Sequence, residues 1–279
     1  MNEYEYLSKL QRNACNEMGI PYNLFLEVEG KSGKIETFAK ELIKRLGKGY
    51  ESLSFIQVGF LPLDDFNAGI SPETGNKPII VIYWALPLVL TNLNASIHSM
   101  VRKQSMLDFI SMAVTCACSI KFGYSKVQWP KISLEFLESN KKTIHEMVDA
   151  QISFVLLHEF SHHLLNHLNP ERISKCLLTD TSDEYVNFYT LNQREELEAD
   201  CKAAELFGKI FGNKKDNYYS SIYLLTELWM LYETMFPRIR PSPSHPSASD
   251  RWREISKTLA CNDETQLKTV EWTKKCLMD

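Results

Sequence analysis

The segment from Ile152 to His167 reads ISFVLLHEFSHHLLNH and dominates the interpretation of this chain. Its apolar residues recur at helical spacing, which predicts a buried amphipathic helix. His158 and His162 are four residues apart, so a helix places both imidazoles on one face, with Cβ atoms about 5–6 Å apart. Two such imidazoles can bind one zinc ion, and the adjacent Glu159 can act as a base toward a water at the metal. The rival interpretation is an amphipathic helix whose histidines are ordinary surface or core residues.

A catalytic zinc ion usually has three protein ligands and one open position, so a third ligand is required. The metzincin arrangement places a Gly three residues after the second His and a third His three residues further on. Those two positions hold Leu165 and Leu168, which excludes this arrangement. His163 and His167 are predicted to point away from the metal face and to be ordinary polar or packing residues.

A second segment, Arg194 to Cys201 (REELEADC), fits the other known arrangement. Glu196 and Asp200 are four residues apart and share one face of a predicted helix. Glu196 can bind zinc through a carboxylate oxygen, and Asp200 can accept the N–H of a zinc-bound histidine and so fix its tautomer. Glu195 and Glu198 are the competing carboxylates. Because Glu195 would not share a face with Asp200, Glu196 is the preferred third ligand.

These motifs resemble the gluzincin peptidases, especially the HtpX and CAAX-processing protease group, which pairs a His-Glu-x-x-His helix with a Glu-x-x-x-Asp helix. The resemblance implies that one zinc ion is bound by three residues, with a base beside them and a carboxylate behind a ligand. The three ligands would be His158, His162 and Glu196. Glu159 would be the base, and Asp200 would be the carboxylate behind a histidine ligand. The overall layout is similar to the soluble Lit phage-exclusion peptidases, which cut a host protein during phage infection.

The same group often carries a later His-Pro followed by an Arg, and the stretch from His245 to Arg251 (HPSASDR) is similar in form. The resemblance therefore implies that His245 and Arg251 lie near the cleft. Hydrolysis of a peptide bond passes through an oxyanion that needs a hydrogen-bond donor besides the metal. His245 is the first candidate for that donor and Arg251 the second.

The patterns along the chain predict a mainly helical α+β fold, zincin-like, with a small sheet beside a helical body. Residues 1–95 are expected to form an α/β region and residues 96–279 a helical metallopeptidase region, with one continuous domain as the alternative. Predicted helices cover residues 1–19, 35–46, 96–120, 133–168 with a break around 139–143, 190–211, 218–235 and 249–260. Predicted strands cover residues 53–60 and 79–84, and the second of these is a candidate edge strand for pairing with an extended substrate.

The composition limits the possible partners and compartments. The 279-residue chain has a net charge of −4 and no basic run, so nucleic acid is not an expected partner. Its seven cysteines follow no repeated spacing, which predicts free thiols in a reducing compartment. The apolar runs 79–90 and 106–120 are shorter than the roughly 20 residues of a membrane span, so no membrane insertion is expected. These features predict a soluble, cytoplasmic protein.

The function expected from these observations is zinc-dependent endopeptidase activity on a cytosolic protein or peptide, with phage defence as one role. An activating partner or an inhibitor is left open. The alternatives are a non-catalytic binding or sensor protein that contains zinc, and a hydrolase that acts on something other than protein. Structural zinc sites are usually closed by four ligands, often cysteines, and have no use for a base, which favours an enzyme.

Overall fold

The computed structural model describes residues 3–31, 35–71, 78–101, 106–130, 134–168, 174–175, 189–190, 193–212, 215–236 and 246–259. These residues form a mainly helical α+β fold with a small sheet, which confirms the predicted fold class. His245, the first candidate oxyanion donor, lies outside the described residues. No helix within the described ranges is long and apolar enough to cross a membrane.

The described residues of the first part of the chain form three α-helices and a three-stranded sheet. The helices are α1 (Glu3–Glu17), α2 (Tyr22–Lys31) and α3 (Ile35–Leu46), and the strands are β1 (Gln57–Leu61), β2 (Ala68–Ser71) and β3 (Ile79–Tyr83). The strand order is β1-β3-β2, with β3 parallel to β1 and antiparallel to β2. The prediction of an edge strand at 79–84 is therefore wrong, because β3 is paired on both sides. The sequence pattern also missed β2, whose four residues AGIS lie in a segment rich in turn-forming residues.

The remainder of the described chain forms the helical body. Its elements are α4 (Ala85–Val101), α5 (Met106–Phe122), α6 (Leu134–Leu164), α7 (Gln193–Phe211), α8 (Lys215–Met235) and α9 (Ala248–Thr258), with a short antiparallel pair of β4 (Ser174–Lys175) and β5 (Tyr189–Thr190). The predicted single helix over 96–120 is wrong, because α4 and α5 are separate helices. The apolar run 79–90 is divided between β3 and α4, and Pro87 is accepted because it lies in the first turn of α4, where the backbone N–H has no partner within the helix.

The predicted break at 139–143 is also wrong, because α6 is continuous. Asn140 is buried and held inside the helix rather than turning the chain. Its side-chain amide donates to the carbonyl oxygen of Phe136 at 2.7 Å, and its Oδ1 lies 2.9 Å from Nε2 of His98 on α4. Asn favours turns because its side chain competes for backbone hydrogen bonds. Here the side-chain amide is instead hydrogen-bonded within α6 and to α4, so the helix continues.

The sheet is packed on both faces, because successive side chains of β3 point in opposite directions. Ile80 and Ile82 join the main core, whereas Ile79, Val81 and Tyr83 contact a smaller cluster formed with α1. The main core contains residues from both sides of the predicted boundary at 95/96. Its members include Leu42, Leu90, Phe160 and Phe207. The division into two regions stays a prediction.

The C-terminal end of α6 is a sharp reversal. Asn166 has φ 58°, the left-handed conformation that often follows the last residue of a helix. The backbone N–H of Asn166 donates to the carbonyl oxygen of His163 at 3.1 Å, and that of His167 donates to the carbonyl oxygen of His162 at 2.9 Å. This pair of bonds is the Schellman arrangement. The helix therefore stops before His167 and the chain turns back.

Replacing Asn166 tests this turn, because its side chain is exposed and the substitution acts mainly on the backbone conformation. Asn166→Val should lower the free energy of unfolding by about 1–2 kcal/mol, because a β-branched side chain is strained in the left-handed region, which Asn tolerates. Asn166→Gly at the same position should be close to wild type, because glycine adopts this conformation without strain. Urea unfolding measures both variants, and equal stability of the two would contradict the assigned turn.

Candidate metal centre

The three residues predicted as metal ligands meet between α6 and α7. His158 and His162 lie on one face of α6, with their Nε2 atoms 3.1 Å apart. The carboxylate of Glu196 on α7 faces both rings, with Oε2 3.5 Å from Nε2 of His158 and Oε1 3.6 Å from Nε2 of His162. One potential ligand atom from each residue lies within 4.8 Å of the other two, so the group can hold a single metal ion.

The positions of these side chains follow from how α6 and α7 pack. The side of α6 away from the ligands is buried in the core through Leu156, Leu157 and Phe160. On α7, the small side chains of Ala199 and Ala203 are fully buried, which allows close contact between the helices. Ligands that project from two helices packed in this way are held in place before a metal binds.

Asp200 fixes the orientation of His158. Its Oδ1 lies 2.9 Å from Nδ1 of His158, and Arg251 of α9 donates two hydrogen bonds of 2.7 Å to its two oxygens. Burial by itself raises the pKa of Asp200, but the charge and hydrogen bonds of Arg251, followed by His158, outweigh it and lower this pKa to about 2. An ionised carboxylate only accepts, so Nδ1 of His158 carries a proton and Nε2 is left for a metal.

Glu159 lies beside the ligands and contacts the sheet. The Tyr83 N–H donates to the carbonyl oxygen of Asn67 at 3.0 Å, so by the antiparallel alternation the backbone groups of Ala68 and Ile70 point away from β3. The N–H of Ile70 donates to the Glu159 carboxylate. Burial is the main cause that raises the pKa of Glu159 to about 7, and the Ile70 hydrogen bond opposes this rise.

The chemistry of the group fits a divalent metal ion such as zinc. Three buried carboxylates (Glu159, Glu196 and Asp200) surround the site, and the Arg251 guanidinium faces them with a single positive charge. Without a metal, burial by itself lowers the pKa of His158, but the hydrogen bonds and charges of Asp200 and Glu196 outweigh it and raise this pKa to about 10. A divalent cation would take the place of that buried proton. Burial, followed by the nearby charge of His158, lowers the pKa of His162 to about 3, which keeps this imidazole in the neutral form that binds metals.

His167 is the site residue that the sequence pattern missed. It was predicted to lie on the far side of a helix, but α6 ends at Leu164 and the turn at Asn166 brings His167 back onto His162. The two Nδ1 atoms are 3.0 Å apart, and His167 is only 1% exposed. The signal in the sequence was Asn166 itself, since Asn is one of the residues that end helices in the left-handed conformation.

The other described residues considered from the sequence lie near the predicted metal ligands but are not among them. Glu195 is buried on α7 but is not a member of the metal-holding group found among the described residues, and His163 is half-buried and also outside that group. Glu198 contacts Arg194 and His167 instead of the ligand atoms. Arg251 lies next to the cluster but donates to Asp200, and its predicted role as an oxyanion donor stays a prediction.

Comparison with known protein families identifies a match over the helical body. The family model for Peptidase U49 matches residues 84–271, which include α4 to α9 and therefore all the residues of the metal cluster. No curated protein and no solved structure is significantly similar to the chain. The family match supports the resemblance to the Lit-type peptidases, whereas the resemblance to the HtpX and CAAX-processing group is not confirmed by it. Because the matched segment is more than half of the chain, this protein belongs to the Peptidase U49 family of proteases.

Proposed function

We propose that this peptidase is a zinc-dependent endopeptidase that cuts a cytosolic protein, with His158, His162 and Glu196 as the metal ligands. The observation that carries the proposal is the convergence of two Nε2 atoms and one carboxylate on a single point, with Glu159 beside them. A zinc ion bound there would act as a Lewis acid toward a water and toward the substrate carbonyl.

Glu159 is the proposed general base. Its carboxylate is buried, its pKa is raised to about 7 mainly by that burial, and it is held by the Ile70 N–H. A carboxylate with this affinity for protons can take a proton from the attacking water and then pass it to the leaving amine. Asp200 holds the His158 ring in place, so that this ligand does not have to move during the reaction.

The number of ligands favours catalysis over a structural site. The described residues supply three donors to the group, and a catalytic zinc keeps a fourth position for water or substrate. A non-catalytic zinc-binding or sensor protein would have no need of a buried carboxylate next to the ligands. That alternative predicts zinc binding without any dependence of cleavage on Glu159.

The start of the edge strand β2, at Ala68, is the proposed site where an extended substrate pairs, in place of the strand predicted from the sequence. The next outward N–H along β2, that of Ile70, donates to the carboxylate of Glu159, so the start of this strand lies close to the proposed base. At the half-exposed start of the strand, the Ala68 N–H donates to the side chain of the exposed Asn67 at 2.9 Å. A substrate carbonyl can replace this local bond, since an added strand gains its affinity from main-chain hydrogen bonds.

The biological role proposed from the resemblance to the Lit-type peptidases is cleavage of a host protein during phage infection. Such an activity requires a restricted substrate range or an activating partner, because unrestricted proteolysis would damage the cell. His245 remains the first candidate donor for the oxyanion, and it lies outside the described residues.

The general-base role of Glu159 is tested by Glu159→Gln, which keeps the size of the side chain and removes its basicity. Cleavage should fall by about 10²–10⁴-fold, while zinc content stays at one ion per chain. The measurement compares newly formed protein N-termini in host cells that express wild type or the variant, with and without phage infection. An active Glu159→Gln protein would exclude this role, and equal N-termini in infected and uninfected cells would exclude a role triggered by phage.

The third ligand is tested by the neighbouring pair Glu196→Gln and Glu195→Gln, both at buried positions of α7. Zinc affinity should fall in Glu196→Gln by more than the roughly 10–100-fold that loss of an outer hydrogen-bond partner costs. Zinc affinity should be unchanged in Glu195→Gln, because Glu195 is not part of the group that faces the histidines. Chelator competition gives the affinities and thermal unfolding checks the fold. The opposite ranking would move the ligand by one residue.

The role of Arg251 is tested by a double-mutant cycle with Asp200. Since Arg251 makes two hydrogen bonds to Asp200, Arg251→Met and Asp200→Asn should each lower zinc affinity by about 10–100-fold, and the double variant should lose little more than either alone. An oxyanion donor behaves differently: Arg251→Met would then lower kcat at unchanged zinc affinity. That result would support the predicted role of Arg251 as an oxyanion donor.

A further inference from the structure

The two histidine ligands have unlike partners behind them. His158 contacts the carboxylate of Asp200 directly, at 2.9 Å. His162 contacts a second imidazole, that of His167, whose Nε2 lies 3.4 Å from Oε2 of Glu198 on α7. Both histidines of this second chain of contacts are buried, whereas Glu198 is exposed. Neither the His167 ring nor the Glu198 carboxylate is a reacting group in the proposed hydrolysis.

The hydrogen-bond chemistry of these rings allows one consistent arrangement when His162 binds a metal through Nε2. Its Nδ1 then carries the proton, because a neutral imidazole has one N–H. The Nδ1 of His167, only 3.0 Å away, must accept that bond, which leaves the proton of His167 on Nε2. The His167 Nε2 lies 3.4 Å from Oε2 of Glu198, which is longer than a well-formed hydrogen bond, so the carboxylate favours a proton at this nitrogen mainly through its charge.

The backbone holds His167 in the position that this arrangement needs. The left-handed Asn166 reverses the chain, and the His167 N–H donates to the carbonyl oxygen of His162 itself. Glu198 is held in turn by Arg194, whose Nε donates to its other oxygen at 2.8 Å. The backbone hydrogen bond of His167 and the Glu198 carboxylate of α7 together fix the position of the His167 ring.

We propose that His167 is a positioning residue that accepts the Nδ1–H of His162, and that Glu198 selects the His167 tautomer able to do so. The role rests on the proposed function, because it assigns His167 to a metal ligand. In this arrangement α7 supports both histidines of α6, one through Asp200 and the other through His167 and Glu198. The support of His162 is relayed through a second imidazole.

The test measures zinc affinity by chelator competition, and the d–d spectrum of the cobalt-substituted protein, for variants that keep or remove the acceptor. His167→Phe keeps a ring but no acceptor and should weaken zinc binding by about 10–100-fold. His167→Asn places Oδ1 where Nδ1 stood and should recover most of that loss. Glu198→Gln should cost a few-fold, because the residue is exposed. Glu205→Gln, an exposed residue of α7 paired with Lys202, is the matched control and should have no effect.

The outcomes separate this inference from the proposed function. If the wild-type protein binds no zinc, the proposed function fails and the inference fails with it. If wild type binds zinc and His167→Phe binds it equally well at unchanged cobalt spectrum, the inference alone is wrong. A purely structural role of His167 would lower thermal stability equally in Phe and Asn variants without separating their zinc affinities.

A measurement on the wild-type chain keeps the inference testable if His167→Phe does not fold. The ¹⁵N shifts of the imidazoles in the zinc-loaded protein should show Nδ1–H on His162 and Nε2–H on His167. The reverse tautomer on His167 would overturn the inference, since that ring could then donate to His162 but not accept from it.

Discussion

The buried charge of Asp200 is the constraint on which the site depends. Asp200 is completely buried on α7, and an isolated buried carboxylate would cost several kcal/mol or more. Its charge is compensated from two other helices, by Arg251 of α9 and by His158 of α6. The requirement to satisfy this one group therefore fixes three helices relative to one another. The orientation of the first histidine of the motif is a direct consequence, because the ring has to present Nδ1 to the carboxylate.

Packing sets how close the metal-site residues can come. α7 meets α6 through fully buried alanines, and beside them Phe154 and Phe207 make an edge-to-face contact with centroids 6.2 Å apart. Small and large side chains that alternate in this way let two helices interlock without voids. As a result, Glu196 projects toward both imidazoles at similar distances of 3.5 and 3.6 Å, although it lies on a different helix, 34 residues after His162.

Local patterns were sufficient for α1, α3, α7, α8 and α9 and for the pairing of the two motifs, because these depend on the 3.6-residue repeat, but they missed α2 and the division into α4 and α5. The i, i+4 spacing of His158 and His162, and of Glu196 and Asp200, is a property of any helix that contains them. What the sequence could not supply depends on neighbours distant in the chain. Asn140 stays helical because α4 satisfies its side chain, and β2 exists because β3 offers it an edge. His167 was misjudged because the helix was extended through Asn166, where a single positive φ ends it.

The sheet and the turn after α6 act on opposite ends of the same motif. On one side, β2 fixes the carboxylate of Glu159 with the Ile70 N–H, so the position of the proposed base depends on the edge of the sheet. On the other, the reversal at Asn166 fixes the ring behind His162. A helix alone would give five residues with the right spacing and side chains free to rotate. The groups that stop this rotation come from a strand, a turn and two other helices, which is why the motif spans five residues and the site requires most of the fold.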